Sequence, residues 1–418
     1  MILEIRLSNF YSIKDEIVLD LRASQSQSKK SKDLEINTFD WHDEKILKTI
    51  ALYGANASGK SNIIKAIRFC CAMVIQSHMH NENSIFTFLP FKFEHYPEKP
   101  STFQIRFISS DIEYEYGFSL VKTKIITESL FYYPNGRRAK VFTRDEQIKG
   151  EKKEKYSFGN AIKKPLDVAE NTSDKTLFVS RASQMDRDLC KEIYNFFNNR
   201  FILGYNGALT ANVETFIKNN RSLILKALQI ADSDIIELKV EKKEVPVKSF
   251  SFTLPSATTS VTDGQQEMIS IKTYHKKSSG ISFDFGLEES DGTKSLFFIL
   301  ITVLDIIKNN KILLIDEIES SLHTRIVEFI IKLFYASNSA QLIFTTHNTN
   351  LLDLAKIRKD QVYFVNKKSD ASTDVYSLYD YKDFRETMDV EKAYLQGRFD
   401  AVPFMDDTLS NLKSLING

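Results

Sequence analysis

The chain has 418 residues, of which 42% are hydrophobic and 27% are charged, and its formal net charge at pH 7 is +1. This composition is typical of a globular protein with a sizeable core and two or three domains. The small net charge excludes a global basic field, so any contact with nucleic acid would need a local basic patch.

The cysteines and the apolar runs exclude further classes. Cys70, Cys71 and Cys190 form neither a disulfide framework nor a metal-ligand spacing, which favours a reducing cytoplasm. The chain opens on strand-like sequence, so we expect no signal peptide. The most apolar run, residues 295–307, is too short to cross a bilayer and carries Asp305, and it predicts a buried helix. We therefore expect a cytoplasmic protein without membrane contact.

The N-terminal residues predict two short strands separated by an aromatic turn. Residues 2–7 and 17–21 have strand-like patterns, and Asn9-Phe10-Tyr11-Ser12 lies between them. One of the two rings could stack on an adenine base, and packing in the core explains them equally well.

Residues 46–69 contain the strongest motif. An apolar, β-prone segment (46–53) is followed by Gly-Ala-Asn-Ala-Ser-Gly-Lys-Ser, which fits G-x-x-x-x-G-K-[ST], and then by a helical pattern. In such a loop, backbone N–H groups at a helix N-terminus surround a phosphate. Lys60 would reach the β- and γ-phosphates, and the Ser61 hydroxyl would ligate Mg²⁺. The sequence predicts a nucleoside triphosphate site formed by Gly54, Ala55, Asn56, Ala57, Ser58, Gly59, Lys60, Ser61 and Asn62.

The middle of the chain is less informative. Alternation from Phe86 to Leu120 predicts an antiparallel meander, and Pro134-Asn135-Gly136 predicts a hairpin turn. Residues 137–164 contain ten Lys/Arg and four Asp/Glu, which fits solvated hairpins or, alternatively, a phosphate-binding edge. The helical pattern of residues 174–234 predicts an inserted helical subdomain without sustained heptads. Strand-like segments return at 235–247 and 268–285.

Two apolar strands in the last third end in polar residues. Residues 311–317 predict a buried parallel strand ending in Asp316 and Glu317, at the edge of the sheet where ligands bind. Asp316 would hold Mg²⁺ through water, and Glu317 would deprotonate the attacking water. An acidic helix cap is the alternative. Residues 341–347 predict a neighbouring strand ending in His347, which could hydrogen-bond the γ-phosphate or that water.

A short polar turn precedes the apolar helix. Ser290-Asp291-Gly292-Thr293-Lys294 opens the predicted helix at 295–307, and its free N–H groups offer an anion site. A simple N-cap is the plain explanation. The alternative is a functional site, in which this turn contacts the γ-phosphate of a nucleotide bound to another subunit.

The order of these motifs resembles the ABC-type ATPase heads of the SMC, RecF and OLD (overcoming lysogenization defect) group. More closely, the chain is similar to stand-alone AAA-family ATP-binding proteins of the RloA and AbiL type from bacterial anti-phage operons. The resemblance runs from the N-terminal strand to Tyr394-Leu395-Gln396-Gly397-Arg398-Phe399, where Asp400 replaces an expected glycine. It implies an α/β fold, an ABC-type P-loop head with a mixed sheet, an antiparallel β subdomain and an inserted helical subdomain.

The resemblance also implies roles for further residues. Ser290 and Gly292 would form the signature motif that closes on the ATP of the partner subunit, and residues 319–323 would form the D-loop at a homodimer interface. No metal site of the TOPRIM nuclease type is expected after residue 350, so an effector would be another chain. The expected division is 1–173 and 235–418 for the two parts of the ATPase domain and 174–234 for the insertion.

Three functions remain open on the sequence. The first is an ATPase, with ATP and Mg²⁺, that dimerises and controls a nuclease or toxin encoded in the same operon. The second is a RecF-like repair or recombination ATPase that binds DNA, or else RNA. The third, the nucleotide-binding subunit of a transporter, fits poorly because the segment between the P-loop and the signature is long.

Overall fold

We describe the protein from a computed structural model. It describes residues 1–24, 34–163, 165–202, 211–231, 233–253, 258–278, 280–320, 322–384, 388–402, 408 and 414–416. In chain order the strands are β1 (Ile2–Ser8), β2 (Ile17–Asp20), β3 (Thr38–Trp41), β4 (Glu44–Leu47), β5 (Thr49–Tyr53), β6 (Ser101–Ser109), β7 (Ile112–Val121), β8 (Lys124–Tyr133), β9 (Ala139–Asp145), β10 (Tyr156–Phe158), β11 (Phe201–Ile202), β12 (Ile235–Thr253), β13 (Thr258–His275), β14 (Phe283–Asp284), β15 (Ile312–Ile315), β16 (Gln341–Thr346), β17 (Val362–Lys367) and β18 (Thr373–Ser377). The α-helices are α1 (Lys60–Gln76), α2 (Pro165–Glu170), α3 (Phe178–Gln184), α4 (Asp188–Arg200), α5 (Ala211–Ile230), α6 (Asp291–Lys308), α7 (Thr324–Tyr335) and α8 (Val390–Leu395).

The chain divides into two compact units. The first contains Met1–Gly204, Ile306–Ser320 and Ile331–Gly418, and the second contains Tyr205–Asp305 and Ser321–Ile330. These bounds differ from the expected insertion at 174–234, because the helices of that stretch fall in both units. Phe178 on α3 and Phe196 on α4 are buried in the core of the first unit, whereas α5 belongs to the second.

The first unit contains a mixed six-stranded sheet that carries the glycine loop. Its strand order is β11-β15-β16-β5-β17-β18, with parallel neighbours except for the β17–β18 pair. β5 and β16 are buried along their whole length, as their continuous apolar sequences predict. α1 follows β5 and buries Ile63, Ile64 and Ile67, the face expected from their spacing.

The first unit also contains a seven-stranded antiparallel sheet with the order β10-β9-β8-β7-β6-β1-β2. Burial alternates along β6, as the sequence predicts. The expected meander from Phe86 begins only at Ser101, where β6 starts. Pro90, Pro97 and Pro100 explain the delay, since proline cannot donate to a strand ladder. With both sheets and their helices in place, the predicted α/β class is confirmed.

The basic segment at 137–164 lies along the β9–β10 end of this sheet. Several of its cations have partners: Arg138 pairs with Glu115 at 2.7 Å, and Lys155 pairs with Glu146 at 2.8 Å. Lys140 donates to Ser157. These contacts agree with hairpins whose charges are locally compensated, and Lys164 lies outside the described residues.

The second unit is built on a long hairpin. β12 and β13 pair from Ile235 opposite His275 to Thr253 opposite Thr258, with a shift of register between Ile235 and Glu237, and β14 adds two residues beside β13. The two strand-like segments expected at 235–247 and 268–285 are therefore parts of one longer ladder. α5 contacts the first part of β12, where Arg221 pairs with Glu237 at 2.9 Å.

The C-terminal segment packs on the sheet of the first unit. The Phe399 ring stacks on Phe364 of β17 with centroids 4.3 Å apart, and Tyr394 meets Tyr53 edge-on at 6.0 Å. Asp400 has a φ of +48°. Glycine adopts this left-handed conformation most easily and aspartate tolerates it, which accounts for the substitution noted in the sequence. Of the helices in the described parts of the chain, none has the length and apolar character needed to cross a membrane.

Candidate nucleotide-binding site

Three parallel strands end side by side in the first unit and define the site. β16 lies between β15 and β5, and the register aligns Ile315 with Phe344 and Tyr53 with Thr346. The residues that follow these strands are Asp316, Gly54 and His347. The carboxyl ends of parallel strands form one edge of a sheet, so the fold brings the three predicted motifs to the same edge.

The backbone of the loop needs glycine at two positions. A Cβ at Gly54 would lie 2.3 Å from the carbonyl oxygen of Val365. Gly59 has a φ of +108°, and a Cβ there would lie 2.0 Å from the Thr373 hydroxyl. Because Gly59 directly precedes α1, the loop turns sharply into the helix N-terminus. The N–H groups of that first turn lie where the motif predicts an anion site.

Side chains from distant segments secure the loop. Thr373 Oγ1 donates to the Ser58 carbonyl oxygen (2.9 Å) and lies 2.7 Å from Ser12 Oγ. Asn62 Nδ2 donates to the same Ser12 hydroxyl at 2.7 Å. Asn62 was predicted to touch the nucleotide, and here its amide connects α1 to the N-terminal turn.

The side chain of Lys60, the first residue of α1, reaches back to the start of the loop. Its Nζ donates to the carbonyl oxygens of Gly54 (2.8 Å) and Ala55 (2.9 Å). Burial lowers the pKa of Lys60 to about 8, while the charges of Asp316, Glu317 and Glu319 oppose that shift. The three carboxylates therefore lie near this ammonium group. Asn56 and Ala57 at the tip are exposed, Ser58 is buried and Ser61 is half-buried.

Thr345 holds the two predicted carboxylate residues. Its hydroxyl donates to Asp316 Oδ1 at 2.7 Å and accepts from the backbone N–H of Glu317 at 2.7 Å. Glu317 is exposed and has a φ of +53°. A left-handed glutamate is uncommon, and such strained positions cluster at functional sites.

Glu319 connects the end of β15 to the end of β16. Its Oε1 accepts the backbone N–H of His347 at 2.5 Å. Its Oε2 is buried and has no hydrogen-bond partner, and the same holds for the hydroxyl oxygens of Tyr53 and Ser58. Burial and then the charge of Lys60 lower the pKa of His347, while the nearby carboxylates oppose the shift. The ring is therefore neutral at pH 7, with one nitrogen able to donate and the other able to accept.

A cavity of about 500 Å³ adjoins the start of α1. It is lined by Tyr11, Asn62, Phe91, Lys92, Phe93 and Lys122, among others. Phe10, the other ring of the N-terminal turn, is buried against Phe69, Phe88 and Phe103. Of the two explanations for the aromatic pair, core packing therefore applies to Phe10, whereas Tyr11 faces a cavity.

The predicted signature residues belong to the second unit. Ser290 Oγ accepts from the Thr293 backbone N–H at 3.1 Å and so caps α6. Ser290 and Gly292 are exposed and line a cavity of about 920 Å³ together with His323 and Arg325. In the predicted D-loop, Ser321 lies outside the described residues.

Comparison with known families decides the classification. Residues 50–353 match a family described as "AAA domain, putative AbiEii toxin, Type IV TA system". The chain belongs to this AAA family. The matched residues contain the glycine loop, Ser290, Asp316 and His347, and no curated protein sequence matches the chain.

Solved structures similar to this AAA-family chain include SMC heads. An SMC head bound to the C-winged helix domain of ScpA is 18% identical, covering 90% of this chain and 97% of that one, with a TM-score of 0.41. The SMC head of Thermotoga maritima is 14% identical, covering 90% and 98%, with a TM-score of 0.35. An Smc head with coiled coil and joint derived from Pyrococcus yayanosii is 13% identical, covering 90% and 96%, with a TM-score of 0.38.

Sequence reasoning missed several residues of this AAA-family site. Thr345 and Glu319 belong to predicted motifs, the strand that ends in His347 and the D-loop. The local sequence gave no sign that Thr345 contacts Asp316 or that Glu319 contacts His347. Arg68 on α1 was also missed. It donates to the Leu314 carbonyl oxygen at 3.3 Å, and burial lowers its pKa while the charge of Asp316 opposes the shift.

Proposed function

We propose that the protein binds and hydrolyses ATP, dimerises on ATP, and acts as a sensor or scaffold that controls a nuclease or toxin partner in bacterial anti-phage defence. The observation that carries the ATPase part is the convergence of Lys60, Asp316, Glu317 and His347 on one edge of a parallel sheet beside a glycine loop. AAA-family membership supports the same activity.

ATP would occupy the loop and the adjoining cavity. The N–H groups at the start of α1 and the Lys60 ammonium face the phosphates in this arrangement. Lys60 would exchange its bonds to the Gly54 and Ala55 carbonyl oxygens for bonds to phosphate oxygens. The base would enter the cavity beside α1, where the Tyr11 and Phe93 rings offer stacking surfaces.

The donor atoms fit a magnesium ion that arrives with the nucleotide. Ser61 supplies a hydroxyl and Asp316 a carboxylate, which Thr345 orients. Mg²⁺ in such sites takes one or two protein ligands and completes its shell with water and phosphates. The ion would neutralise charge that develops on the phosphates.

The chain's own groups would activate the attacking water. Glu317 would accept a proton from this water. At the same time the water oxygen would bond to the γ-phosphorus, and the bond between the γ-phosphorus and the leaving ADP oxygen would break. Thr345 fixes the backbone of Glu317, and Glu319 fixes the backbone of His347. The neutral His347 ring would hydrogen-bond the water or the γ-phosphate.

The test is a comparison of ATP turnover and ATP affinity in two variants. Glu317→Gln keeps the shape but cannot accept a proton, so hydrolysis should fall by a factor of about 10² or more while ATP still binds. Lys60→Ala removes a cation at the phosphates, and ATP affinity by calorimetry should fall about tenfold or more. The exposed Glu98→Gln is the matched control and should behave as wild type. Wild-type turnover in Glu317→Gln would move the catalytic role elsewhere, most directly to His347.

The defence role is supported by the family description, which names a toxin of a type IV toxin–antitoxin system. Phage plating on cells that carry the gene with its operon neighbours tests this role. Protection should depend on the wild-type protein and disappear with Lys60→Ala and with Glu317→Gln. Equal protection by all three proteins would contradict control by ATP. Tight, strongly salt-dependent binding of duplex DNA with ATP would instead favour the RecF-like repair function.

A further inference from the structure

A histidine lies between two carboxylates at the base of the β12–β13 hairpin. His275 Nδ1 is 2.7 Å from Asp234 Oδ1, and His275 Nε2 is 2.8 Å from Glu289 Oε1. Asp234 directly precedes β12 and His275 ends β13, so the two residues close the hairpin at its base. We call Asp234, His275 and Glu289 the His275 cluster.

The distances indicate which protonation state of the ring the cluster holds. A neutral imidazole has one N–H and one lone pair, so it can donate to only one of two ionised carboxylates. An imidazolium donates to both. Burial lowers the pKa of His275, but the hydrogen bonds and charges of Asp234 and Glu289 outweigh burial and raise it above its usual value. The geometry therefore fits an imidazolium shared by two carboxylates, which is the form that the raised pKa favours.

Glu289 anchors an otherwise exposed turn. Leu287 and Glu288 before it and Ser290 after it are exposed, whereas the Glu289 side chain is only 6% exposed. The Glu289 carboxylate also accepts from the buried Thr273 hydroxyl on β13. The chain between β14 and α6 is thus held to the hairpin at the residue directly before Ser290.

Ser290 connects the anchored Glu289 to the first turn of α6. Its hydroxyl caps the Thr293 N–H, and its carbonyl oxygen accepts the Lys294 N–H at 2.9 Å, so the first turn of α6 begins from the anchored residue. A shift of Glu289 would displace both the Ser290 hydroxyl and the backbone N–H groups of Asp291 and Gly292.

We propose that His275 is a positioning residue for Ser290: its ring holds Glu289, and Glu289 fixes the turn from which Ser290 opens α6. The inference rests on the proposed ATPase function, in which Ser290 clamps a γ-phosphate. It adds a link between the base of the hairpin and that clamp, so that a partner which moves the hairpin would change hydrolysis.

The link depends on pH with a definite sign. Because the pKa of His275 is raised in the folded protein, the clamp is complete below the ordinary histidine pKa and weakens as pH rises through the folded value. Asp234 and Glu289 face the ring, Lys277 lies near Asp234, and His323 and Arg325 line the same cavity.

Two variants of the full-length protein fix the charge of this position. His275→Gln is neutral at every pH, and His275→Lys is cationic across the neutral range. At pH 7, His275→Gln should lower kcat about tenfold, the scale of a lost charge-assisted hydrogen bond, with KM for ATP unchanged. The wild-type rate should fall towards the His275→Gln rate as pH rises, and His275→Lys should keep its rate.

Hydrogen exchange gives a readout that does not need activity. Amides of residues 286–294 should exchange faster in His275→Gln than in the wild type at the same pH, and His275→Lys should restore their protection. The control is Lys272→Gln, which breaks the neighbouring Lys272–Asp284 pair (3.1 Å) between β13 and β14 and leaves His275 in place. Its pH profile should keep the wild-type shape.

The outcomes separate this inference from the proposed function. An unchanged pH profile and unchanged exchange in His275→Gln would overturn the link, and so would a wild-type pH profile in His275→Lys. A Lys272→Gln protein that reproduces both effects would indicate general loosening of the hairpin and would also overturn it. If the wild type hydrolyses no ATP but exchange follows the expected order, the proposed function is wrong and the anchor on Ser290 stands.

Discussion

The pKa of Lys60 depends on the loop around it and would change when phosphate binds. In the folded protein its ammonium is bonded to two backbone carbonyl oxygens and is partly removed from water, which lowers its pKa to about 8. Triphosphate oxygens would restore a strong preference for the charged form, since nearby negative charge raises the pKa of an amine. If ATP binds at this loop as proposed, its binding and the protonation of Lys60 are coupled.

This coupling predicts a fall of ATP affinity at alkaline pH. Above a pH of about 8 a growing share of the free protein carries neutral Lys60, so binding must take up a proton and the apparent Kd for ATP must rise. Calorimetry in two buffers of different ionisation enthalpy measures the proton uptake directly. The control is Lys60→Ala, which should take up no proton when ATP binds. If the wild type also binds ATP without proton uptake at alkaline pH, Lys60 is already charged in the free protein and the coupling is wrong.

Thr345 orients both members of the acidic pair, which predicts a sharp difference between two conservative changes. Thr345→Val keeps the buried volume but removes the hydroxyl that holds Asp316 Oδ1 and the Glu317 N–H. Turnover should fall about tenfold or more, because two hydrogen bonds at the proposed catalytic turn are lost. Thr345→Ser retains the hydroxyl and should keep most of the rate. Equal turnover in the two variants, measured by phosphate release, would contradict the orienting role.

At the level of elements, Glu128 of β8 acts as the N-terminal cap of α3 from a distance. Its carboxylate accepts the backbone N–H groups of Phe178 (2.6 Å) and Val179 (3.0 Å) and the Tyr116 hydroxyl (2.9 Å). Arg144 lies 3.6 Å away, and both charged side chains are fully buried. The helix has no side-chain cap of its own, so the sheet supplies one.

Removing one member of this buried pair should destabilise the first unit strongly. Glu128→Ala leaves two N–H groups without an acceptor and leaves Arg144 with Glu146 as its remaining carboxylate partner (2.7 Å), so it should cost about 3 kcal/mol in the free energy of unfolding. The pair of the exposed Arg138 and the half-buried Glu115 is the internal comparison, and Arg138→Ala should cost about 1 kcal/mol or less. Urea unfolding followed by circular dichroism measures both values. Similar midpoints for the two variants would refute the difference.

For the whole molecule, the glycine loop and Ser290 belong to different compact units. The resemblance to ABC-type heads implies that each complete site combines Lys60 of one subunit with Ser290 of another. A closed two-fold dimer of this kind contains two such composite sites.

Mixing two inactive proteins tests this architecture. Lys60→Ala and Ser290→Arg should each be inactive alone. In a one-to-one mixture about half of the dimers are mixed, and each rebuilds one of two sites, so about a quarter of the wild-type rate should return. Light scattering with and without ATP follows dimer formation. If Ser290→Arg hydrolyses ATP at the wild-type rate as a monomer, the shared site does not exist.

Local sequence patterns determined the parts of the site that depend on neighbouring residues. The G-x-x-x-x-G-K-S spacing predicts a loop that only glycine permits at Gly54 and Gly59, and the apolar run before Asp316 predicts a buried strand that ends in carboxylates. The start of α6 at Ser290 follows from a capping residue ahead of an apolar run. Each depends on backbone conformation or on periodicity over a few residues, which the sequence itself encodes.

Only the tertiary structure decided the contacts between distant segments. The insertion of β16 between β15 and β5 places Thr345 against Asp316, and the same arrangement lets Glu319 hold His347. The division of the helices between the two units depends on which core receives Phe178 and Phe196, and the His275 cluster depends on the register of a long hairpin. These contacts join residues separated by 14 to 41 positions along the chain, and strand order and side-chain packing select them rather than any local pattern.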